Sequence, residues 1–293
     1  MRATIETVGG ITTRYLHHGS GDYGVLLLHG VGVSADSFLW NLEALGGDDC
    51  QAIAPDLLGY GMTGEGDYKE GAPQDGIVEH LTTLIEHLGL NKVVIVGSSF
   101  GANVAAHLFW RMRSRTDGLV LVGCGPALNS VETLARMYEQ SFANGIKAMA
   151  DPTLDTCRRR MNNLVFDPKS VPEALVLLQL TLYALPSARD RYERRMRGIK
   201  DRTALERFDV TSKISQVTAP SLVIWGRQDV RGSLEEAERA AKLLPNGQWV
   251  LYENCGHLPY LEHPDRFNAQ VREFVTRVRG DCAVVDRATQ PKL

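Results

Sequence analysis

The chain has 293 residues, of which 44% are hydrophobic and 23% charged, the ordinary balance of a globular protein with a large core. Its net charge of −3 offers no basic field for nucleic acid, and no apolar run approaches the length of a membrane span. No N-terminal segment resembles a signal peptide, and the five cysteines are scattered. These features predict a cytoplasmic protein that acts on a small molecule, without a nucleic-acid or membrane partner; a homo-oligomer is compatible with them.

The first part of the chain alternates predicted strands with predicted helices. The strands are Ile11–His18, Val25–His29, Gln51–Pro55, Val93–Val96 and Gly118–Val122, and the helices are Ser37–Leu45 and Asp75–Leu88. Strands that alternate with helices form a mostly parallel sheet covered on both faces.

This alternation stops after the first 126 residues. Short helical patterns interrupted by prolines follow, and strands are predicted again only at Ser221–Trp225 and Trp249–Tyr252, before a closing helix at Pro264–Arg279. The simplest division is a core domain, a helical lid inserted after the sixth strand, and a tail that is expected to fray. The core domain comprises residues 1–126 and 214–279, the lid residues 127–213, and the tail residues 280–293.

The most informative motif is a Gly-x-Ser-x-Gly run, Gly97-Ser98-Ser99-Phe100-Gly101, between a predicted strand and an alanine-rich helical pattern. In this context the motif is typical of a nucleophile elbow, a sharp turn that exposes a serine hydroxyl above the sheet. Side chains at Gly97 or Gly101 would collide with neighbouring backbone, so glycine is required there. Ser99 is the predicted nucleophile.

A serine nucleophile needs a base and an orienting acid, which follow the elbow in the order Asp then His. Asp229 and His257 each lie in a loop after a predicted strand. Asp229 would otherwise cap the helix that begins near Leu234, and His257 would be a surface residue. Histidines elsewhere lie on helical or strand patterns, at His17, His18, His80, His87 and His107.

The oxyanion hole is predicted from two backbone N–H groups. Phe100 follows the nucleophile, and Val31 follows the strand that ends in His29-Gly30. Glycines at positions 30 and 32 allow this loop to approach the substrate closely.

Arginines cluster in the predicted lid, at Arg158, Arg159, Arg160, Arg189, Arg191, Arg194, Arg195 and Arg197. For any one of them a solvated helix face is the simpler interpretation, although at least one contact to a substrate carboxylate remains open. No metal-ligand spacing, P-loop or dinucleotide fingerprint is found, so neither metal nor cofactor is expected. Cys255 is interpreted as a small apolar filler rather than a reactive thiol.

The chain resembles α/β-hydrolases from about Ile5 to Arg279. The motifs fall in family order: His29-Gly30, Asp56-x-x-Gly59-x-Gly61, the Ser99 elbow, Trp225-Gly226-Arg227-x-x-Asp229 and Gly256-His257. The resemblance implies an α/β-hydrolase fold. An acidic residue in place of Ser99 would imply haloalkane dehalogenase or epoxide hydrolase chemistry, which the serine excludes.

Within that superfamily the chain is similar to the meta-cleavage-product hydrolases, which split a carbon–carbon bond in vinylogous 1,5-diketones. The similar segments are Arg160–Pro168, Val171-Pro172-Glu173, Cys255-Gly256-His257 and Glu262-His263-Pro264-x-x-Phe267. The resemblance implies that His257 takes a proton from Ser99 and that Asp229 holds the imidazole.

The chain departs from that group at several positions. Where members commonly have Asn before the nucleophile, Gly after the elbow and Trp after the histidine, this chain has Ser98, Ala102 and Leu258. Members also tend to carry a lid arginine for the substrate carboxylate, but the matching stretch Leu175–Tyr183 contains Gln179 and no arginine. Either another lid arginine takes that role or the substrate lacks the carboxylate.

Other functions remain open. A carboxylesterase or lactonase would keep the same triad, a non-catalytic ligand receptor would keep the fold without turnover, and a cofactor-free oxygenase would use Ser99 differently.

Overall fold

A computed structural model describes residues 1–66 and 72–288, with side chains described as far as Gly280. The strands of these residues are β1 (Arg2–Val8), β2 (Ile11–His18), β3 (Tyr23–Leu28), β4 (Gln51–Pro55), β5 (Lys92–Ser98), β6 (Thr116–Val122), β7 (Ser221–Gly226) and β8 (Gly247–Tyr252). The helices up to β7 are α1 (Leu42–Leu45), α2 (Gln74–His87), α3 (Phe100–Arg111), α4 (Gly125–Leu128), α5 (Val131–Ala150), α6 (Leu154–Asn162), α7 (Glu173–Tyr183), α8 (Ala188–Lys200) and α9 (Arg202–Arg207). After β7 come α10 (Leu234–Ala241), α11 (Pro259–Glu262) and α12 (Pro264–Ala288), and single 3-10 turns occur at Ala35–Phe38, Arg113–Arg115, Pro168–Ser170 and Thr211–Gln216.

The strands form one sheet in the order β1-β2-β4-β3-β5-β6-β7-β8. The pairs β1/β2 and β2/β4 are antiparallel, and every pair from β4/β3 to β7/β8 is parallel. Side chains alternate between the two faces, so Val25 and Leu27 join one apolar cluster while Leu26 and Leu28 join the other. The predicted parallel sheet with two covered faces is confirmed.

The strand β1 (Arg2–Val8) was not predicted, and two predicted helices differ from the structure by more than two residues. The helix predicted at Ser37–Leu45 is interrupted, because the 3-10 turn Ala35–Phe38 ends before α1 begins. At the interruption the side-chain amide of Asn41 donates to Tyr260 O at 3.1 Å and to Asn268 Oδ1 at 2.8 Å, which ties this segment to α11 and α12. Such long-range contacts override helical periodicity.

The closing helix was predicted to end at Arg279 but continues to Ala288. The fraying of residues 280–293 stays a prediction, and residues 289–293 lie outside the described residues. Between β6 and β7 the structure contains only helices and 3-10 turns, which agrees with a helical insertion after the sixth strand. We call residues 127–213 the helical segment. Its role as a lid remains a prediction.

The sheet and α3 meet in a very close contact at the elbow. A Cβ atom on Gly101 would overlap the carbonyl oxygen of Leu28 in β3 and lie 2.8 Å from that of His29. A Cβ on Gly97 would lie 2.7 Å from the Cα of Ala102. Glycine is therefore required at both positions, as predicted, because backbone atoms cannot move aside as a flexible side chain can.

Replacement of Gly101 by Ala tests this contact. Alanine favours a helix over glycine by about 1 kcal/mol, so propensity alone predicts stabilisation. We expect instead that Gly101→Ala lowers the free energy of unfolding by ~2 kcal/mol or more, since overpacking against backbone dominates. Urea denaturation measures the change. Gly47→Ala is the control, because no atom lies within 4 Å of a Cβ there; equal stability of the two variants would contradict the close contact.

Candidate active site

Ser99 forms the turn between β5 and α3, with φ of 54° and ψ of −119°. A positive φ is strained for a residue with a side chain, and such strain is found at functional turns. The N–H of Ser99 donates to Val122 O on the neighbouring strand at 2.9 Å, which holds the turn in place. Ser99 thus lies at the N-terminus of α3, where the helix dipole favours negative charge.

Asp229 and His257 form a buried pair at the ends of the neighbouring strands β7 and β8. Asp229 Oδ2 and His257 Nδ1 are 2.7 Å apart, and both residues are more than nine-tenths buried. The carboxylate accepts the Nδ1–H bond, which leaves Nε2 free to act as a base. Asp229 Oδ1 accepts from the N–H of Arg231 at 2.7 Å. Asp229 does not cap α10, whose N-cap is Ser233.

Close backbone packing determines the position of His257. Its N–H donates to Leu164 O, in the helical segment, at 2.8 Å. A Cβ on Gly256 would lie 2.7 Å from Phe166 N, so the segment packs directly on this loop. Gly123, at φ of 49°, lies beside the imidazole, where a Cβ would be 3.1 Å from Nδ1. The helical segment therefore supports the histidine loop.

The carboxylate of Glu262 joins the same two parts of the chain. One oxygen accepts from the N–H groups of Gly256 at 2.9 Å and Leu258 at 3.3 Å, and the other from Phe166 N–H at 2.6 Å. Hydrogen bonds from backbone N–H groups to a carboxylate are stronger than those to a neutral acceptor. Glu262 thus holds the loop that carries His257 against the helical segment.

The loop after β3 lies against Ser99. A Cβ on Gly30 would be 3.1 Å from Ser99 Cβ, so glycine allows the loop to approach the nucleophile. His29 is buried, and its Nε2 accepts from Leu57 N–H at 3.0 Å while Nδ1 donates to Gly30 O at 2.8 Å. Burial lowers the pKa of His29, which keeps it neutral. The oxyanion roles of Val31 and Phe100 remain predictions.

One cavity brings the predicted residues together. Ser99, His257 and Val31 line it with side chains of the helical segment, among them Tyr138 and Leu164. No hydrogen bond joins the described side chains of Ser99 and His257, and such bonds are often long before substrate binds. The shared cavity is the geometric basis for treating the three residues as one site.

The arginine cluster divides into two kinds. Several arginines form exposed ion pairs, as the solvated interpretation predicts, such as Arg158 with Glu173 and Arg194 with Glu65. Arg160 is different, because it is 4% exposed and lines the cavity at Ser99.

The remaining histidines and Cys255 do not compete for a catalytic role. Burial lowers the pKa of both His80 and His107 to about 4, and neither lines the cavity at Ser99. Cys255 is fully buried beside Glu262, and burial with the nearby carboxylate raises the pKa of its thiol. The thiol is therefore a packed, protonated group, in agreement with its interpretation as a filler.

Sequence reasoning missed three features of the site. These are the place of Arg231 in the cavity, the hydrogen bonds by which Glu262 holds the histidine loop, and the contact of Gly123 with His257. Arg231 lines the cavity two residues after Asp229, and it is 5% exposed. Its place near the acid in sequence was the one available signal. No local pattern reveals Gly123 beside His257 or the bond of Glu262 to Phe166, since both contacts join distant segments.

Residues 25–270 match the alpha/beta hydrolase family, and the chain belongs to that family. The predicted fold class is confirmed. The family match also confirms the prediction of a hydrolase. Among the residues the structure describes, no helix is both long and apolar enough to span a membrane.

The relatives make the resemblance more specific. A relative from Dechloromonas aromatica (strain RCB), 2-hydroxy-6-oxononadienedioate/2-hydroxy-6-oxononatrienedioate hydrolase 1, is 30% identical over 265 residues, 88% of each chain. A crystal structure of a variant of the meta-cleavage product hydrolase CumD from Pseudomonas fluorescens IP01 is 26% identical, with a TM-score of 0.75 over 94% of this chain and 98% of that one. The structure of a thermophilic esterase from Thermogutta terrifontis is 25% identical, with a TM-score of 0.71 over 95% and 99%. The resemblance to meta-cleavage product hydrolases is confirmed.

Replacement of Glu262 by Gln tests whether this carboxylate holds the histidine loop against the helical segment. The amide –NH2 of Gln would face at least one backbone N–H, and an unsatisfied buried donor costs about 1–3 kcal/mol. We expect a loss of this size in the free energy of unfolding, together with reduced turnover, measured by denaturation and steady-state kinetics.

Glu253→Gln is the matched control, because Glu253 meets Arg227 on the exposed surface at 2.7 Å. Such a pair contributes about 0–1 kcal/mol. If Glu262→Gln lost no more stability and turnover than this control, the hydrogen bonds of Glu262 would not hold the histidine loop.

Proposed function

We propose that the chain is a serine-dependent hydrolase that cleaves a carbon–carbon bond in a vinylogous diketone, the product of aromatic ring opening. The observation that carries the proposal is one cavity lined by the strained Ser99 and by His257, whose imidazole is paired with the buried carboxylate of Asp229. The names of the relatives support the bond type, and the dioate in the name of the Dechloromonas aromatica relative denotes a substrate with two carboxylates.

In the proposed mechanism His257 removes the proton from Ser99, and Asp229 stabilises the imidazolium that forms. The substrate is first ketonised, which creates an electron sink on the fragment that will leave. Ser99 attacks the carbonyl carbon, the carbon–carbon bond breaks, and the leaving carbon takes a proton from His257. Water then cleaves the acyl-enzyme and releases an acid.

The N–H groups of Val31 and Phe100 would hold the oxyanion in this mechanism. The approach of the Gly30 loop to Ser99 supports the role of Val31, since it brings the loop beside the reacting oxygen. Two preorganised donors typically contribute about 3 kcal/mol each to the stability of the transition state.

A carboxylesterase or lactonase is the second candidate. The similarity to a thermophilic esterase favours it. The same residues would serve, because acyl transfer to Ser99 and hydrolysis of the acyl-enzyme are common to both reactions.

The test is bleaching of a yellow ring-opened catechol product, 2-hydroxy-6-oxohexa-2,4-dienoate with a phenyl or methyl substituent. We expect rapid bleaching and release of the carboxylic acid by the wild type, and a loss of about 10³-fold or more in Ser99→Ala because no nucleophile remains. Ser212→Ala, an exposed serine, is the control. Intact dienoate with rapid ester cleavage would favour the second candidate, and oxygen uptake would indicate an oxygenase.

Replacement of Asp229 by Asn tests the acid. The amide would donate to Nδ1 and force the imidazole into the wrong tautomer, so kcat is expected to fall by about 10³–10⁴-fold. Asp49→Asn is the control, since that carboxylate meets Arg279 on the surface. Full activity of Asp229→Asn would assign the acid to another residue.

A further inference from the structure

The predicted oxyanion loop, Gly30–Gly32, has little conformational preference of its own. Val31 lies between two glycines, and Gly32 has φ of 70°, which glycine adopts without strain. Two flanking glycines leave the N–H of Val31 free to rotate unless other groups hold the loop. The position of this predicted oxyanion donor therefore depends on contacts from outside the loop.

The core domain holds the first peptide of the loop. His29 Nδ1 donates to Gly30 O at 2.8 Å. Because the C=O and N–H of a trans peptide point in opposite directions, this bond turns the N–H of Val31 away from His29. The next two carbonyl oxygens, those of Val31 and Gly32, accept hydrogen bonds from the helical segment instead.

Tyr183, the last residue of α7, provides the stronger of these two bonds. It is 6% exposed, and its hydroxyl donates to Gly32 O at 2.8 Å. Arg160 of α6 donates from Nε to the same hydroxyl oxygen, and from Nη2 to Val31 O at 3.4 Å. A guanidinium only donates, so the bond from Arg160 directs the hydroxyl proton to Gly32. Burial raises the pKa of Tyr183, which keeps this donor protonated.

The helical segment packs closely on the loop at this point. A Cβ on Gly32 would overlap Arg160 Nη2 and lie 3.4 Å from the hydroxyl oxygen of Tyr183. Tyr183 does not line the cavity at Ser99 but a second cavity, which Gly32 also lines. Its hydroxyl therefore acts on the loop and not on a substrate at Ser99.

We propose that Tyr183 is a positioning residue for the oxyanion hole, because its bond to Gly32 O holds the N–H of Val31 towards the oxyanion formed at Ser99. The inference rests on the proposed serine chemistry and on Val31 as a donor, but not on the type of bond that is cleaved. Since Tyr183 belongs to the helical segment, the donor is in place only while α7 rests on the loop. A small displacement of such a group costs a large factor in rate.

The test compares two ketones, phenethyl trifluoromethyl ketone and phenethyl methyl ketone, by calorimetric titration. A serine nucleophile adds to the activated trifluoromethyl ketone and forms a tetrahedral oxyanion, whereas the methyl ketone binds without this addition. We expect the wild type to bind the trifluoromethyl ketone about 10²-fold more tightly than the methyl ketone, and Ser99→Ala to lose this difference. Tyr183→Phe should weaken the trifluoromethyl ketone by about tenfold and the methyl ketone by less than about twofold, because only the oxyanion needs the donor in place.

Tyr192→Phe is the matched control. Tyr192 is 1% exposed and also belongs to the helical segment, but its hydroxyl donates to Ser141 O at 2.8 Å and not to the oxyanion loop. This variant should leave both affinities unchanged. Both phenylalanine variants keep the packed ring, and urea denaturation checks that they fold. Arg160→Met, a second variant, removes the bond that directs the hydroxyl proton and should lower the ratio of the two affinities in the same direction.

Equal losses in Tyr183→Phe and Tyr192→Phe would overturn the inference, and so would a Tyr183→Phe variant that weakens both ketones alike. The proposed function fails separately. If the wild type and Ser99→Ala bind the trifluoromethyl ketone equally well, Ser99 is not the nucleophile and both proposals are wrong. If Tyr183→Phe weakens only the trifluoromethyl ketone but the wild type leaves the dienoate intact, the positioning role stands and carbon–carbon cleavage is lost.

Discussion

The contact between α3 and the sheet is the constraint on which the site depends. Because Gly101 lies against the carbonyl oxygen of Leu28, the helix begins directly at the end of β5, and Ser99 must adopt a positive φ. The same contact brings the end of β3 beside the elbow, so the loop at Gly30 touches the serine. A looser helix would relax the turn and separate the serine from the predicted oxyanion loop.

Buried charge organises the loops around this constraint. Asp56 is fully buried, and its carboxylate accepts from the N–H groups of Ala35 and Met62 at 2.9 Å and from Arg14 at 3.1 Å. These bonds hold the loops after β3 and β4 together, and the buried guanidinium of Arg14 is paired with two carboxylates. Arg160 and Arg231 are also buried, but neither forms a salt bridge with a carboxylate of the described residues, and both line the cavity at Ser99.

The helical segment is part of the site and not only a cover. Leu164 O accepts from His257 N–H at 2.8 Å, and the carboxylate of Glu262 binds both Phe166 and the histidine loop. A displacement of the segment near Leu164 would therefore also disturb the pair of His257 with Asp229. The position of His257 and the shape of the cavity are coupled through these hydrogen bonds.

The sequence by itself determined that the sheet is mostly parallel and covered on both faces. It also determined the elbow and identified Ser99, Asp229 and His257 as candidate site residues. These features are local: a strand, a turn and a helix are each encoded by neighbouring residues, and each candidate directly follows a strand. The elements whose bounds were wrong, Ser37–Leu45 and the end of the closing helix, lie where local periodicity is a poor guide. At Asn41, contacts with Tyr260 and Asn268 interrupt the helix.

Only the tertiary structure decided which arginines face the cavity, how Glu262 holds the histidine loop, and why Gly123 lies beside His257. Each of these depends on groups from distant segments that meet in space, and a carboxylate or guanidinium looks the same in sequence whether it is solvated or buried. Arg158 and Arg160 illustrate this, because they lie two residues apart on α6, yet one pairs with Glu173 in solvent and the other is buried in the cavity at Ser99. The periodicity of a helix predicts that two such residues face apart, but the packing of the helix determines which of them is inside.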